Sequence, residues 1–260
     1  MRYALGSIKL NRDRDIALLR RIFRSEFITQ SQLFDLTQLE TPEKSRDVFN
    51  WRLRRLASHG LVRKQVSAFA NGVPMYSVSS SGFEILSEHG EISSIRADQF
   101  ARWQELQETR SSHALGLNEI HLALKKSNVL VRWIPGAEIQ AENDLTRMGY
   151  GKDYDAVILM RKDGNTLSCA LEYERSRKTE QRYKEIMFAF QSDQRVEQLV
   201  YIVAHEHLRT FLRNCFVHTK RHILVVLEQE FRRQLLLCPA EQMGPPFVRG
   251  KLIELLQANR

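Results

Sequence analysis

The chain has 260 residues, 43% hydrophobic and 27% charged, a balance that excludes a largely disordered or fibrous protein. No run approaches the roughly 18 consecutive apolar residues of a membrane span, and the first twenty residues hold no continuous apolar segment, so neither a membrane protein nor a secreted one is expected and the cytoplasm is the expected location. Thirty-nine Lys and Arg against 31 Asp and Glu leave a net charge of +8, which favours a polyanionic partner, with nucleic acid the first choice.

Ile16, Leu19, Ile22 and Phe23 recur at helical spacing with Arg20, Arg21 and Arg24 between them, which predicts an amphipathic helix over residues 12–25. Thr29 precedes a short second helix that stops at the Glu40–Pro42 turn. A third helix runs from Glu43 to His59, with Phe49, Leu53 and Leu56 at i, i+4 and i+7, and Gly60 closes it. The period then changes. Leu61–Ala68 and Val73–Ser79 read as strands around a Phe69–Gly72 turn whose Asn71-Gly72 pair is a strong hairpin signal, and a helix over Ser81–His89 follows.

Between Glu43 and Val66 seven cations (Lys44, Arg46, Arg52, Arg54, Arg55, Arg63 and Lys64) face two acids, Glu43 and Asp47. If Phe49, Leu53 and Leu56 turn inward, Arg46, Asn50 and Arg54 lie outward at i, i+4 and i+8. Arginine forks onto guanine and asparagine onto adenine in a major groove. Arg52 and Arg55 flank that face and are expected at phosphates, as are Arg63 and Lys64 on the first hairpin strand. Trp51 is expected to pack rather than to stack on a base. The segment SRDVFNWRLRRLASHGLVRK resembles the third helix and first wing strand of winged helix-turn-helix DNA-binding domains. That resemblance implies a double-stranded DNA partner and a DNA-binding domain over residues 1–90.

Residues 91–112 are polar, with Phe100, Trp103 and Leu106 as the repeating apolar positions, and read as a linker helix. Beyond them the pattern predicts a helix over His113–Lys126 and strands at Val129–Ile134, Ala137–Ala141, Tyr154–Met160 and Leu167–Tyr173. A helix over Lys178–Phe190, a strand at Gln198–Ala204, a helix over Glu206–Phe216 and a strand at His222–Leu227 complete a mixed α/β order for residues 113–260.

Asp155 opens one of two strands that read as a hairpin, and Glu172 and Glu174 share one face of the other. Three carboxylates at one sheet edge are the hard oxygen set that magnesium prefers, and magnesium so held can activate water against a phosphodiester. The arrangement resembles the PD-(D/E)xK nuclease-like superfamily, with restriction-endonuclease-like fold. By that resemblance Asp155 matches the motif Asp, with Tyr154 where Pro is usual, and Glu172 matches the acid, the two being the metal ligands. Glu174 stands where the family carries Lys, Glu119 is a candidate carboxylate on the first helix, and Lys178 or Lys184 is a candidate replacement cation. The competing expectation, preferred here, is an internal acid cluster paired with Arg175, Arg177 and Lys178.

Cys169, Cys215 and Cys238 are widely spaced, form no CxxC pair and are expected as reduced core residues. His205, His207, His218 and His222 are a weak zinc candidate, and no phosphate-loop, dinucleotide or esterase motif occurs. The domain order and the LEYERSRKT segment look like the replication-relaxation family of plasmid relaxation and mobilisation accessory proteins. That resemblance implies a DNA-binding regulator or accessory protein of a plasmid or mobile element. A homodimer is expected, because winged-helix modules commonly read two half-sites and the second domain offers a surface for pairing or for extra DNA contact; no resident cofactor is expected. The alternative is a magnesium-dependent DNA endonuclease using Asp155, Glu172 and Glu174.

Overall fold

A computed structural model describes residues 8–66, 72–92, 108–145, 149–162 and 164–258. The chain divides into two compact units, Met1–Leu122 and Ala123–Arg260, and each is described by itself. Most of the expected linker, residues 93–107, lies outside the described residues.

The first unit begins with a π-helical turn, Arg12–Ile16, that runs into α1 (Ala17–Ser25). Asn11 caps it: its Oδ1 accepts from Arg14 N at 3.0 Å, and its own N–H donates to Asp15 Oδ2 at 2.8 Å. β1 (Ile28–Thr29) leads into α2 (Gln30–Glu40), where Thr29 and Gln32 satisfy each other's backbone N–H groups in a capping box. α3 (Arg46–Ser58) starts at Ser45, whose hydroxyl accepts from Val48 N. The chain leaves α3 through Gly60, whose φ of +74° is a conformation that side chains with a Cβ resist.

β2 (Val62–Val66) and β3 (Pro74–Val78) pair antiparallel, and β1 joins the other side of β3 to give the order β1-β3-β2. Of the expected hairpin turn, residues 69–71 lie outside the described residues, as do 67 and 68 at the end of the expected strand before it; Gly72 has the positive φ that such turns use. α4 (Ser80–Glu88) begins so close to the third helix's exit that a Cβ on Gly82 would stand 2.2 Å from the Leu61 carbonyl oxygen. The core of this unit is Leu19, Ile22, Phe27, Leu33, Phe49, Leu53, Leu56 and Phe83, all fully buried. α5 (Glu108–Lys126) closes over it, with Asn118 donating to the Phe27 carbonyl at 2.8 Å.

The second unit is built on a seven-stranded sheet. In chain order its elements are β4 (Leu130–Pro135), α6 (Gly136–Leu145), β5 (Ala156–Lys162), β6 (Asn165–Glu174), α7 (Glu180–Ser192), β7 (Gln198–Val203), α8 (Glu206–Cys215) and β8 (His222–Leu227). Beyond them come α9 (Glu228–Gln234), a 3-10 turn, β9 (Pro239–Met243), β10 (Arg249–Lys251) and α10 (Leu252–Gln257). The spatial order is β10-β9-β8-β7-β6-β5-β4; β6, β7 and β8 run parallel and the outer pairs antiparallel. The parallel strands are buried on both faces, so they read as unbroken apolar runs such as QLVYIV and HILVVL.

The chain is a mixed α+β protein. One expected strand is a helix instead: Ala137–Ala141 belongs to α6. Its apolar residues alternate, but over five positions alternation does not separate strand from helix, and Ala, Glu and Gln are strong helix formers. No helix among the described residues is long and apolar enough to cross a membrane. The three cysteines are unpaired thiols; Cys169 and Cys238 are buried and Cys215 is half-buried.

Candidate nucleic-acid interface and a carboxylate cluster

The cations of α3 and the hairpin fall into two groups. Asp15, fully buried, accepts from Arg52 Nη1 at 2.9 Å and from Arg55 Nη2 at 2.5 Å, and Arg52 Nε also donates to Glu43 Oε1 at 2.8 Å. Burial acts to raise the Asp15 pKa, but the Asn11 N–H and the two guanidinium groups outweigh it and hold the carboxyl below its ordinary value. Arg52 and Arg55, expected at phosphates, are thus engaged inside the protein, where they tie α3 to the N-terminal turn.

The other five, Lys44, Arg46, Arg54, Arg63 and Lys64, are exposed, and no ion pair engages them among the described residues. Arg46 lies over the Phe34 ring at 4.7 Å, and Arg54 Nε donates to the Asn50 carbonyl at 3.3 Å. The Asn50 side-chain oxygen accepts from Gln30 Nε2 at 2.6 Å. A bidentate contact of Asn50 with adenine would use the second lone pair of that oxygen together with the amide Nδ2.

Trp51 corrects an expectation, because it is 53% exposed rather than packed. Phe49, Leu53 and Leu56 fill the inward stripe, and a residue two positions after Phe49 lies about 200° round the helix. Its ring carries the Arg55 guanidinium at 4.9 Å. α3 and β2 therefore present arginine and lysine head groups beside an exposed indole, a surface suited to phosphates, base edges and stacking.

In the second unit, the pairing of Ala156 with Leu171 sets Asp155 across from Glu172, and Asp155 Oδ2 accepts from Tyr173 N at 2.7 Å. Glu172 and Glu174, both buried, lie beside Tyr201 and Val203 of β7. Each has its own ammonium: Lys152 Nζ donates to Glu172 Oε1, and Lys178 Nζ to Glu174 Oε2. Burial pushes the Glu172 pKa up, and the nearby Asp155 charge adds to that rise, while Lys152 opposes it.

Of the cations expected at this cluster, Lys178 is present. Arg177 lies over the Phe211 ring at 3.7 Å, and Lys184 pairs with Glu180 at 2.9 Å. Glu119 accepts from Gln32 Nε2 at 2.6 Å within the first unit. Lys152 escaped the sequence reading, which looked for a cation downstream of Glu174; the available signal was the loop sequence GYGKDYD directly ahead of β5.

Among the described residues no group of three His, Cys, Asp or Glu side chains has an arrangement that holds a metal. The His205 and His207 rings stack on each other, and His222 Nε2 lies 2.9 Å from Gln242 Oε1.

The model of one protein family, described as replication-relaxation, matches residues 19–188, more than half of the chain. No curated protein and no solved structure matches it.

Proposed function

The chain belongs to the replication-relaxation family, and from that premise we propose that it is a duplex-DNA-binding accessory or regulatory protein of a plasmid or other mobile element. In this reading residues up to about 90 dock as a winged helix-turn-helix, α3 enters the major groove and the β2–β3 hairpin lies along the backbone. Arg46, Asn50 and Arg54 reach base edges, with Gln30 steadying the Asn50 amide, and Lys44, Arg63 and Lys64 meet phosphates.

One observation carries the reading. Of the seven cations on α3 and its flanks, Arg52 and Arg55 pair with the acids Asp15 and Glu43, and the other five, on α3, just ahead of it and on β2, are left exposed. Neutralising phosphates releases condensed counterions, so such a face gains affinity from DNA that it cannot gain from a neutral partner. The test is fluorescence anisotropy of the full chain on duplex DNA over a range of salt. Three phosphate contacts predict that log affinity falls with log salt at a slope of about 3 or steeper. A salt-independent affinity, or none at low salt, contradicts the proposal.

The second unit, nuclease-like in this reading, pairs two copies so that two recognition helices meet two half-sites. Sedimentation is expected to show a dimer on DNA, and a single monomer per duplex would count against the pairing.

A further inference from the structure

The nuclease-like resemblance implies a divalent cation at Asp155, Glu172 and Glu174, and the residues present do not fit one. An ammonium already sits on each buried glutamate, and Asp155 Oδ2 is directed to a backbone N–H. We propose that Lys152 is the resident cation of this set, holding the place of a metal and shutting divalent ions out of the second unit.

The loop that delivers Lys152 is built for that position. Gly151 N donates to Asp193 Oδ2 at 2.8 Å, and a Cβ on Gly151 would lie 2.6 Å from the Ala189 carbonyl oxygen, so that only glycine lets the loop lie this close to the end of α7. On the other side of the lysine, Tyr154 Oη donates to the same Asp193 oxygen at 2.8 Å. Upstream, Tyr150 N donates to Asn143 Oδ1 at 2.6 Å, and Asn143 Nδ2 to Asp153 Oδ1 at 2.7 Å. The chain on both sides of Lys152 is thus tied to α6 and α7, by backbone upstream and by side chains downstream, and its ammonium, 4.7 Å from the centre of the Tyr154 ring, ends on Glu172. A salt bridge formed by a wandering surface lysine needs none of this.

A second observation lies beside the acids. Tyr201, fully buried and paired in register with Glu172, has a hydroxyl with no hydrogen-bond partner among the described residues. Buried hydroxyls are normally satisfied, so this one is a polar atom beside the glutamates that an added ligand could engage. As placed, the three acids do not hold a metal; with Lys152 shortened, Glu172 loses its counter-charge and can turn toward Asp155 and this hydroxyl round a hydrated divalent ion.

The test uses the full chain stripped with chelator and titrated with Mn2+ alone, followed by its paramagnetic signal and by thermal melting. Wild type is expected to bind no stoichiometric Mn2+ and to keep its melting temperature. Lys152→Ala is expected to bind one Mn2+ per chain and, at a hundredfold excess over its dissociation constant, to melt about 5 °C or more higher than without the ion. The double variant Lys152→Ala/Glu172→Gln loses that response. Stoichiometric Mn2+ on wild type, abolished by Glu172→Gln, overturns the proposal and makes the cluster a native metal centre. Failure of Lys152→Ala to bind Mn2+ also overturns it, whether the variant is folded or is unfolded and not rescued by the ion.

Discussion

Around α3, the acids Asp15 and Glu43 engage two of the cations and the rest of the basic face stays in solvent; at the C-terminal end of β6, each buried glutamate has a lysine of its own. Charge that is matched inside a protein fixes geometry, because both partners have given up water and neither is available to a ligand. Charge left unmatched at the surface is available to a polyanion. On the proposed reading, the first unit offers a binding face and the second an internally paired acid–base cluster.

The largest expected effect lies in the matched charges of the first unit. Asp15→Ala leaves Arg52 and Arg55 without their shared carboxylate and is expected to cost about 3–5 kcal/mol, read as a shift of the urea unfolding midpoint. The same carboxyl sets an acid limb. Its pKa is lowered in the folded state, so its contribution is present above the unfolded value of about 4 and is lost as pH falls through the lower folded value. Wild type should lose stability over that acid window, and Asp15→Ala should lose less. An unchanged midpoint in the variant would dissolve the division between the two groups of cations.

Smaller effects are expected on the exposed side. Arg54→Ala should cost about 1–3 kcal/mol of binding on a preferred DNA site and little on other sequences. Lys44→Ala should weaken all sequences alike and reduce the salt slope by about 1. Neither should move the unfolding midpoint. Equal losses on all sequences for Arg54→Ala would reassign it to a phosphate.

The parts of this architecture that were legible in the sequence are those set by neighbours. Thr29 and Gln32 announce the start of α2, Gly60 the end of α3, and the spacing of Phe49, Leu53 and Leu56 the inward stripe, because caps and periodicity act within a few residues. The parts that were hidden depend on distance along the chain. Asp15 lies 37 and 40 positions from Arg52 and Arg55, so nothing local says which arginines turn inward. Lys152 lies 20 positions from Glu172, in a loop that Asp193, from the far end of α7, and Asn143 of α6 hold in place. Trp51 was misjudged by residue type, although its place on the helix wheel already set it opposite the core. The strands β9 and β10 drew no expectation, since β10 has three residues and β9 carries Glu241 and Gln242 in a run without clear alternation.

The central claim is that exposed and internal arginines of one helix do different work, and one paired measurement tests it most directly. DNA affinity at low salt and the urea midpoint are measured for the double variants Arg46→Ala/Arg54→Ala and Arg52→Ala/Arg55→Ala in the full chain. The account predicts that the first pair loses at least about tenfold in affinity with an unchanged midpoint, since a single good base contact is worth 1–3 kcal/mol. It predicts that the second pair lowers the midpoint, Asp15 being left buried without a counter-charge. Full DNA affinity in the first pair, or an unchanged midpoint in the second, would contradict it.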